Sequence, residues 1–391
     1  MGRKKILHII TRLDAGGSAT NTIETVTRLD KTRYEVFLIS GRSYDPDGRI
    51  ARELKDRGID CVFIDDLRRD INLWHDIKAF VRLYRIIAMG GYDLVHTHSS
   101  KAGILGRWAA WLAGVKRIVH TPHGHIFYGY FNRPLTLFFI LLERATALIT
   151  DRIICLTDIG VEDHLRFKVA GKQKFVTIYS GIDINLFRQS CPQDIDKLKE
   201  GLGIDRDDFV FGTVTRLEPV KGNRFLISAF ARILSKFQDL KLLIIGDGSQ
   251  RSALEKQCQE FGISEHVVFA GIREDIPSLL YIMDVFILPS LNEGMGRAVI
   301  EAMACGRPVI ASATGGLPEL LRDGIDGVLV PPADVQRLAE AMKEFVSNPD
   351  KVKIMGESAR QRAGDRFSIE RMIEDVEKLY DSCFSVEGGI G

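Results

Sequence analysis

Residues 211–222 read FGTVTRLEPVKG. The apolar, β-rich run 209–214 ends here, Arg216 and Lys221 follow, and a helical pattern opens after Gly222. Pro219 and Gly222 are turn residues that shape the connecting loop. An apolar strand leading through a short loop into a helix is the repeating unit of a parallel sheet covered on both faces. The unit recurs downstream, with runs at 242–245, 267–270, 285–288, 309–311 and 328–330. Upstream it recurs at 6–10, 36–39, 61–64, 94–96, 118–121, 153–156 and 175–178, with helical periodicity at 74–89 and 102–112. Between the two series, 180–207 is rich in charge and carries Gly181, Pro192, Gly201 and Gly203, so it reads as a linker. The sequence predicts an α/β protein of two Rossmann-like, doubly wound domains, 1–185 and 186–366, joined near 181–205. A last helix, about 369–384 within the tail 367–391, has no strand after it and is expected to cross back to the first domain. Ligands of such sheets bind at the carboxyl ends of strands, here expected in the cleft between domains.

Composition agrees with this size. The chain has 391 residues, 45% hydrophobic and 27% charged, as in ordinary soluble globular proteins. A formal net charge of +1 argues against a nucleic-acid binder. The total conceals a split: 1–185 holds 28 basic and 20 acidic residues, a net of +8, and 186–391 holds 25 and 32, a net of −7. Opposite signs suggest different partners for the two halves. The six cysteines form no CxxC pair and read as reduced core residues of a cytoplasmic protein. Residues 1–10 read as a first strand rather than a signal peptide, because Arg12, Asp14 and a glycine pair follow at once. The longest apolar stretch, 134–150, is interrupted by Glu143 and Arg144 and is too short to span a bilayer.

Four segments carry candidate chemistry. TRLDAGGS at 11–18 places Gly16 and Gly17 between strand and helix, where backbone can approach an anion at the helix start. A plain turn is the other reading, and no complete G-x-G-x-x-G supports a dinucleotide. In 211–222, Arg216 and Lys221 form either a diphosphate clamp, fork plus point charge, or two solvated cations. SLNEGMGRAVIE at 290–301 sets Glu293 in a glycine-rich loop with Gly294, Met295 and Gly296, and Glu301 on the following helix. Two carboxylates can each accept hydrogen bonds from vicinal sugar hydroxyls, or both can be surface acids. IVHTPHGHIF at 118–127 carries His120, His123 and His125. A metal needs three converging imidazoles, which an extended loop opposes. The favoured reading is a single His123 presented by a rigid loop to a sugar hydroxyl or reacting group. His96 and His98 line the same edge, at least one of them structural. Three D-x-D pairs, Asp45/Asp47, Asp194/Asp196 and Asp205/Asp207, lie in polar loops and read as solvated charges rather than a metal–diphosphate holder.

Taken together, the Gly-Gly loop, HTPHG, RLEPVKG, the GDG at 246–248 and the Glu293-x7-Glu301 spacing resemble the retaining glycosyltransferase family 4, with its two-domain GT-B fold. The run HGHIFYGYFNRP is similar to bacterial exopolysaccharide and capsule transferases of that family. The resemblance implies that Arg216 and Lys221 bind the donor diphosphate, with Gly16 and Gly17 approaching it from the first domain. It gives Glu301 the ribose hydroxyls and Glu293 the donor sugar, with Gly294, Met295 and Gly296 as the donor-sugar loop. His123 would contact the sugar near its reacting centre. Gly246, Gly248, Arg251 and Arg273 would flank the base, expected to be uracil, although neither segment by itself spells a base. Fixed cations and helix ends, not a metal, would stabilise the leaving group. No cofactor is implied, since the nucleotide-sugar is a substrate. Where the family often carries an acid after Gly-Gly, this chain has Ser18 to Asn21.

The implied activity is retaining transfer of a hexose or N-acetylhexosamine to a lipid-linked or polysaccharide acceptor. A non-hydrolysing sugar-nucleotide epimerase and a non-catalytic subunit of a polysaccharide complex are the alternatives. Residues 94–142 contain no acid, five cations (Lys101, Arg107, Lys116, Arg117 and Arg133) and interleaved aromatics. They read either as a surface for the inner face of the cytoplasmic membrane or as core aromatics beside solvated cations.

Overall fold

The computed structural model describes residues 2–13, 16–42, 49–124 and 132–385. The chain divides into two units, Met1–Ser180 with Glu370–Gly391, and Gly181–Ile369.

Unit one alternates β1 (Lys4–Ile10), α1 (Gly17–Arg28), β2 (Tyr34–Gly41), α2 (Arg49–Asp56), β3 (Asp60–Ile64), α3 (Leu73–Gly90), β4 (Leu94–His98), α4 (Ser100–Leu112), β5 (Arg117–Thr121), α5 (Arg133–Leu148), β6 (Arg152–Cys155), α6 (Asp158–Arg166) and β7 (Phe175–Thr177). The strands form one sheet in the order β3-β2-β1-β4-β5-β6-β7, each pair parallel. All seven upstream apolar runs fall on these strands. One face packs Leu7, Ile9, Val95 and Ile118 under α3 and α4, and the other packs Ile10, Val26, Leu38 and Leu54 under α1 and α2. Some helix starts are fixed by a capping side chain. Asn72 accepts from the Trp74 and His75 amides, and Asn132 accepts from Leu135 ahead of α5.

Unit two contains α7 (Ile184–Gln189), α8 (Ile195–Glu200), β8 (Phe209–Val214), α9 (Asn223–Leu234), β9 (Leu240–Ile245), α10 (Arg251–Glu260), β10 (Val267–Gly271), α11 (Ile276–Tyr281), β11 (Val285–Leu288), α12 (Arg297–Ala304), β12 (Val309–Ser312), α13 (Leu317–Leu320), β13 (Gly327–Val330), α14 (Val335–Ser347) and α15 (Pro349–Arg366). Its parallel sheet runs β10-β9-β8-β11-β12-β13. The segment read as a linker is folded instead. Asp183 and Asp194 cap α7 and α8, and Ile184 and Phe187 are buried within unit two. Tyr281 donates its hydroxyl proton to the Phe187 carbonyl at 3.0 Å, which ties α7 to α11. Charge and glycine marked the turns, but the two short apolar helix faces were too brief to show periodicity.

The last helix, α16 (Ile369–Ser385), packs on unit one. Arg33 donates to both oxygens of Asp381 at 2.5 and 2.6 Å and to Glu377 at 3.1 Å, and Tyr34 donates to Asp381 at 3.0 Å.

One buried ion pair clamps α4 to α5. Arg107 is 0% exposed and donates from Nη2 to both Glu143 oxygens at 2.8 Å, while its Nε donates to the Gly103 carbonyl. Glu143→Ala strands a buried cation, and such a loss costs about 3–5 kcal/mol. Thermal unfolding of this variant should begin several degrees below wild type. Arg107→Met, which removes the charge and keeps volume, should lose much less; equal losses would contradict the argument.

Candidate active site

Unit two reverses its strand order between β8 and β11, with β9 and β10 on one side and β12 and β13 on the other. At such a switch point neighbouring loops diverge from the carboxyl edge and a crevice opens. The loops after β8 and β11 carry the cations and acids singled out in the sequence.

The two loops are joined through their backbones. Gly222, at φ 68°, ends the first, and a Cβ there would stand 2.1 Å from the Pro289 carbonyl oxygen. The Leu291 amide donates to the Val220 carbonyl at 2.8 Å. Lys221 Nζ then donates to Glu293 Oε2 at 2.5 Å, with Ser290 Oγ on the same oxygen at 3.2 Å. Lys221 and Glu293 are each 15% exposed. The family resemblance implies separate tasks for these residues; the structure makes them one charge pair. The loop after β12 supports it from behind. Gly315, at φ 52°, lies so close that a Cβ would fall 1.8 Å from the Glu293 carbonyl oxygen, and the Gly316 amide donates to that oxygen at 3.1 Å.

Gly296, at φ 79°, starts α12, and no side chain caps this helix. Its first amides therefore point outward unpaired by side chains, as an anion requires. Gly294 is exposed, whereas Met295 is buried under the loop. On the second turn, Arg297 Nε donates to Glu301 Oε1 at 2.9 Å, and its Nη1 donates to the Gly181 carbonyl at 3.2 Å. Arg297 was passed over in the sequence, though its i,i+4 spacing before Glu301 signals such a pair. The Arg216 side chain is exposed, and its guanidinium makes no hydrogen bond or ion pair among the described residues.

Further along the same edge, Gly246 at φ 125° lets the loop after β9 pass the Thr215 carbonyl, from which a Cβ would be 1.9 Å away. The neighbouring Gly248 loop is held by Glu218, which accepts from Ser249 Oγ at 2.7 Å. Arg251 donates to Glu255 at 2.6 Å and lies over the Phe269 ring, and Arg273 forks onto Asp275 at 2.8 and 2.6 Å. Both arginines are thus committed to nearby acids. Among the D-x-D pairs, Asp194 caps α8 and Asp196 pairs with Arg206 at 3.2 Å. Asp205 and Asp207 precede β8 at its amino end, away from Arg216. Asp45 and Asp47 lie outside the described residues.

In unit one the switch point falls between β1 and β4. Gly16 starts α1 without a side-chain cap, and a Cβ at Gly16 or Gly17 would meet nothing within 4 Å. Packing inside the unit does not demand these glycines; they leave the helix start open. Asn21 turns inward instead, donating to Ser180 Oγ at 2.9 Å.

The histidines behave differently from the sequence reading. His123 is not extended: at φ 57° it folds back, and its Nε2 lies 2.9 Å from His98 Nδ1. His98 Nε2 lies 2.9 Å from His8 Nδ1. His96 lies 2.6 Å from the Tyr380 hydroxyl and 2.8 Å from Thr121 Oγ1. His120 bonds Thr97 at 2.9 Å, and His125 lies outside the described residues. His8, unremarked in the sequence, is central, because β1 and β4 register His8 against His96. Burial pushes His8 and His123 down to about 3, and His96, His98 and His120 well below the usual histidine value, so all are neutral imidazoles at neutral pH. Nitrogens of His8, His96 and His98 approach within 4.8 Å of one another, as three metal ligands would. Each already has partners on both nitrogens, so no lone pair is left over for an ion.

The basic–aromatic segment 94–142 also sorts unexpectedly. Arg107 is buried, Lys101 pairs with Asp76 at 2.6 Å, and Arg117 lies 3.9 Å from Asp151. Lys116 and Arg133 are exposed, and so are the apolar side chains Trp111, Leu112, Leu137, Phe138 and Leu141, with Leu148 just beyond the segment. A second apolar row lies outside the predicted segment, on α3. There Leu73, Trp74, Ile77, Val81 and Tyr84 are exposed beside the exposed cations Lys78, Arg82 and Arg85. The α3, α4 and α5 helices pack in sequence on one face of the sheet. No helix among the described residues is long and apolar enough to cross a membrane.

Comparison with known proteins identifies the family. The family described as Glycosyltransferase Family 4 matches residues 15–186, and Glycosyl transferases group 1 matches 194–362. The chain is 32% identical to the UDP-Gal:alpha-D-GlcNAc-diphosphoundecaprenol alpha-1,3-galactosyltransferase of Escherichia coli, over 96% of each. It is 26% identical to the capsular polysaccharide biosynthesis glycosyltransferase CapM of Staphylococcus aureus, over 100% of each. Its fold matches Anabaena HepE in complex with UDP and glucose, with a TM-score of 0.82 at 24% identity over 97% of this chain and 100% of that one. With two parallel Rossmann-like sheets, both family matches and a relative alike from end to end, the chain belongs to the GT-B glycosyltransferases of family 4.

Proposed function

We propose that this glycosyltransferase moves a hexose or N-acetylhexosamine from a UDP-sugar to a lipid-linked or polysaccharide acceptor, with retention and without a metal. The observation that carries the donor side is the Lys221–Glu293 pair at the unit-two switch point, with Arg216 exposed beside it and the uncapped α12 start below. The diphosphate takes Arg216, Lys221 and the α12 amides. This concentrates positive charge where the leaving group gains negative charge. Glu293 accepts donor-sugar hydroxyls, and Glu301, held by Arg297, accepts the ribose pair. His123 meets the donor sugar near its reacting carbon. The UDP donor and lipid-diphosphate acceptor are those in the name of the Escherichia coli relative.

Purified protein is incubated with UDP-galactose, UDP-glucose, UDP-N-acetylglucosamine and their GDP and ADP counterparts, with polyprenyl-diphosphate sugar acceptors and with a chelator. Transfer from one UDP-sugar, unaffected by chelation and with the anomeric configuration kept in the product NMR spectrum, supports the proposal. Epimer formation without acceptor, or no nucleotide binding, overturns it. For the ribose contact, Glu301→Ala should raise the donor KM about ten- to hundredfold with little change in kcat, as expected for a lost charged hydrogen bond made equally in both states.

We also place the exposed apolar rows of α3 and α5, with their cations, against the inner face of the cytoplasmic membrane, where a lipid-linked acceptor is presented. Trp74 is 75% exposed and Phe138 57%, areas that water disfavours. Trp74→Glu with Phe138→Glu should reduce co-sedimentation with phosphatidylglycerol vesicles about tenfold or more while UDP binding stays intact. Equal sedimentation of variant and wild type contradicts this surface.

A further inference from the structure

The donor-sugar histidine is the end of a buried chain. From His123 the contacts run Nε2 to His98 Nδ1 at 2.9 Å and His98 Nε2 to His8 Nδ1 at 2.9 Å. They continue from His8 Nε2 to the Tyr380 hydroxyl at 3.3 Å, from that hydroxyl to His96 Nδ1 at 2.6 Å, and from His96 Nε2 to Thr121 Oγ1 at 2.8 Å. His8, His96, His98 and Tyr380 are fully enclosed in unit one. At the other end, His123 Nδ1 is buried and has no partner among the described residues. A buried nitrogen without a partner calls for a ligand group. His123 also sits at φ 57°, a strained conformation for a residue with a side chain, which persists only where the surroundings impose it.

The direction of the chain is fixed by elementary constraints. A neutral imidazole has one N–H and one bare nitrogen, so each ring passes the direction on to the next. Tyrosine has a single proton. O–H donors form shorter bonds than N–H donors, so the 2.6 Å contact is Tyr380 donating to His96 Nδ1, and the 3.3 Å contact is His8 Nε2–H donating to the tyrosine oxygen. His96 Nε2–H then donates to Thr121. Following the chain outward, His98 Nε2–H donates to His8 Nδ1, and His123 Nε2–H donates to His98 Nδ1. His123 Nδ1 is left with a lone pair.

We infer that Tyr380, His8 and His98 are positioning residues that lock His123 in its Nε2–H form, so that its Nδ1 accepts a hydrogen bond from a hydroxyl of the donor sugar. The identity of that hydroxyl's owner rests on the reading of His123 proposed above; the tautomer does not. Tyr380 lies on α16, so the last helix reaches the site through this chain rather than by contact. The bland reading, a set of satisfied core histidines, leaves Nδ1 unaccounted for.

The test uses the full chain with nitrogen-15 histidine. In wild type without ligand, the His123 signals should show a protonated Nε2 and a bare Nδ1. Tyr380→Phe removes the hydroxyl whose oxygen accepts from His8 and so sets the direction, and His123 should then populate both tautomers. His98→Asn, which keeps an amide where Nδ1 stood, should restore one form better than His98→Ala. A His123 proton on Nδ1 in wild type, unchanged signals in Tyr380→Phe, or a stoichiometric metal in the purified protein would each overturn the inference. For the sugar, deoxyfluoro donors report separately, since fluorine cannot donate. Wild type should disfavour one position about two- to tenfold, the worth of one hydrogen bond, and Tyr380→Phe should lose part of that discrimination. If the tautomer is as stated and no fluoro donor is disfavoured, the failure lies with the sugar contact and not with the chain.

Discussion

Lys221→Ala will lower kcat about 10²- to 10³-fold, the usual cost of removing one preorganised donor to a charge that develops in the transition state. The ammonium is not a loose surface cation. Glu293 holds it at 2.5 Å in a loop whose backbone is pinned by Gly222 on one side and by Gly315 and Gly316 on the other. Its position is therefore settled before the donor arrives, and no reorganisation accompanies the reaction. Glu293→Ala should cost a similar factor for two reasons: the sugar loses its acceptor and the lysine loses its holder. Because each residue positions the other, the double variant should be only slightly worse than either single one, far from the product of the two losses. Steady-state kinetics with a saturating acceptor measures this. Fully multiplicative losses would mean that the pair is incidental. Arg216→Ala is the contrasting case. An exposed, unpaired fork should raise donor KM more than it lowers kcat, because it meets the diphosphate before and during reaction alike.

The fold was readable because it rests on short-range pattern. Fully apolar runs such as 242–245 and 285–288 have one good fate, a strand buried on both faces, and both became central strands. The placement of candidate site residues was readable where a motif fixed them to one loop, as with Arg216 and Lys221 after β8. The pairing of Lys221 with Glu293 was not, since it depends on which strands become neighbours and the two residues stand 72 apart. The histidine chain was hidden for the same reason. His8 and His98 are 90 residues apart, and only the β1–β4 register brings them together. Segment 94–142 misled because charge counting cannot tell a solvated arginine from Arg107, which is buried against Glu143. The apolar rows were undervalued because exposure, unlike hydrophobicity, belongs to the folded state.

Unit one will unfold on mild acidification, before ordinary carboxylate titration. His8, His96, His98 and His120 are buried and His123 is half-buried with its Nδ1 enclosed; all are neutral, with pKa values pushed down by desolvation. The unfolded chain binds protons at these sites near pH 6.5, and the folded chain does not. The unfolded state therefore holds more protons throughout this window, and stability rises with pH. It is complete above the ordinary histidine value and is lost as pH falls below it, down to about 3, where His8 and His123 would finally protonate in the folded state. Each such histidine removes up to about 1.4 kcal/mol per pH unit, so five together exhaust a typical 5–15 kcal/mol within one to two units. The measurement is specific to this unit, because all three tryptophans, Trp74, Trp108 and Trp111, lie in it. Trp108 is the reporter, being partly buried with its indole N–H donating to Thr146 at 3.0 Å. Its emission should shift red in a cooperative transition between about pH 6 and 5, steep enough to involve several protons. His120→Gln, which keeps a polar partner for Thr97 and removes one titrating group, should make the transition less steep and move it to lower pH. Emission that stays constant to pH 4, or a transition with the steepness of a single proton, would mean that these imidazoles meet solvent or an ion in the folded protein.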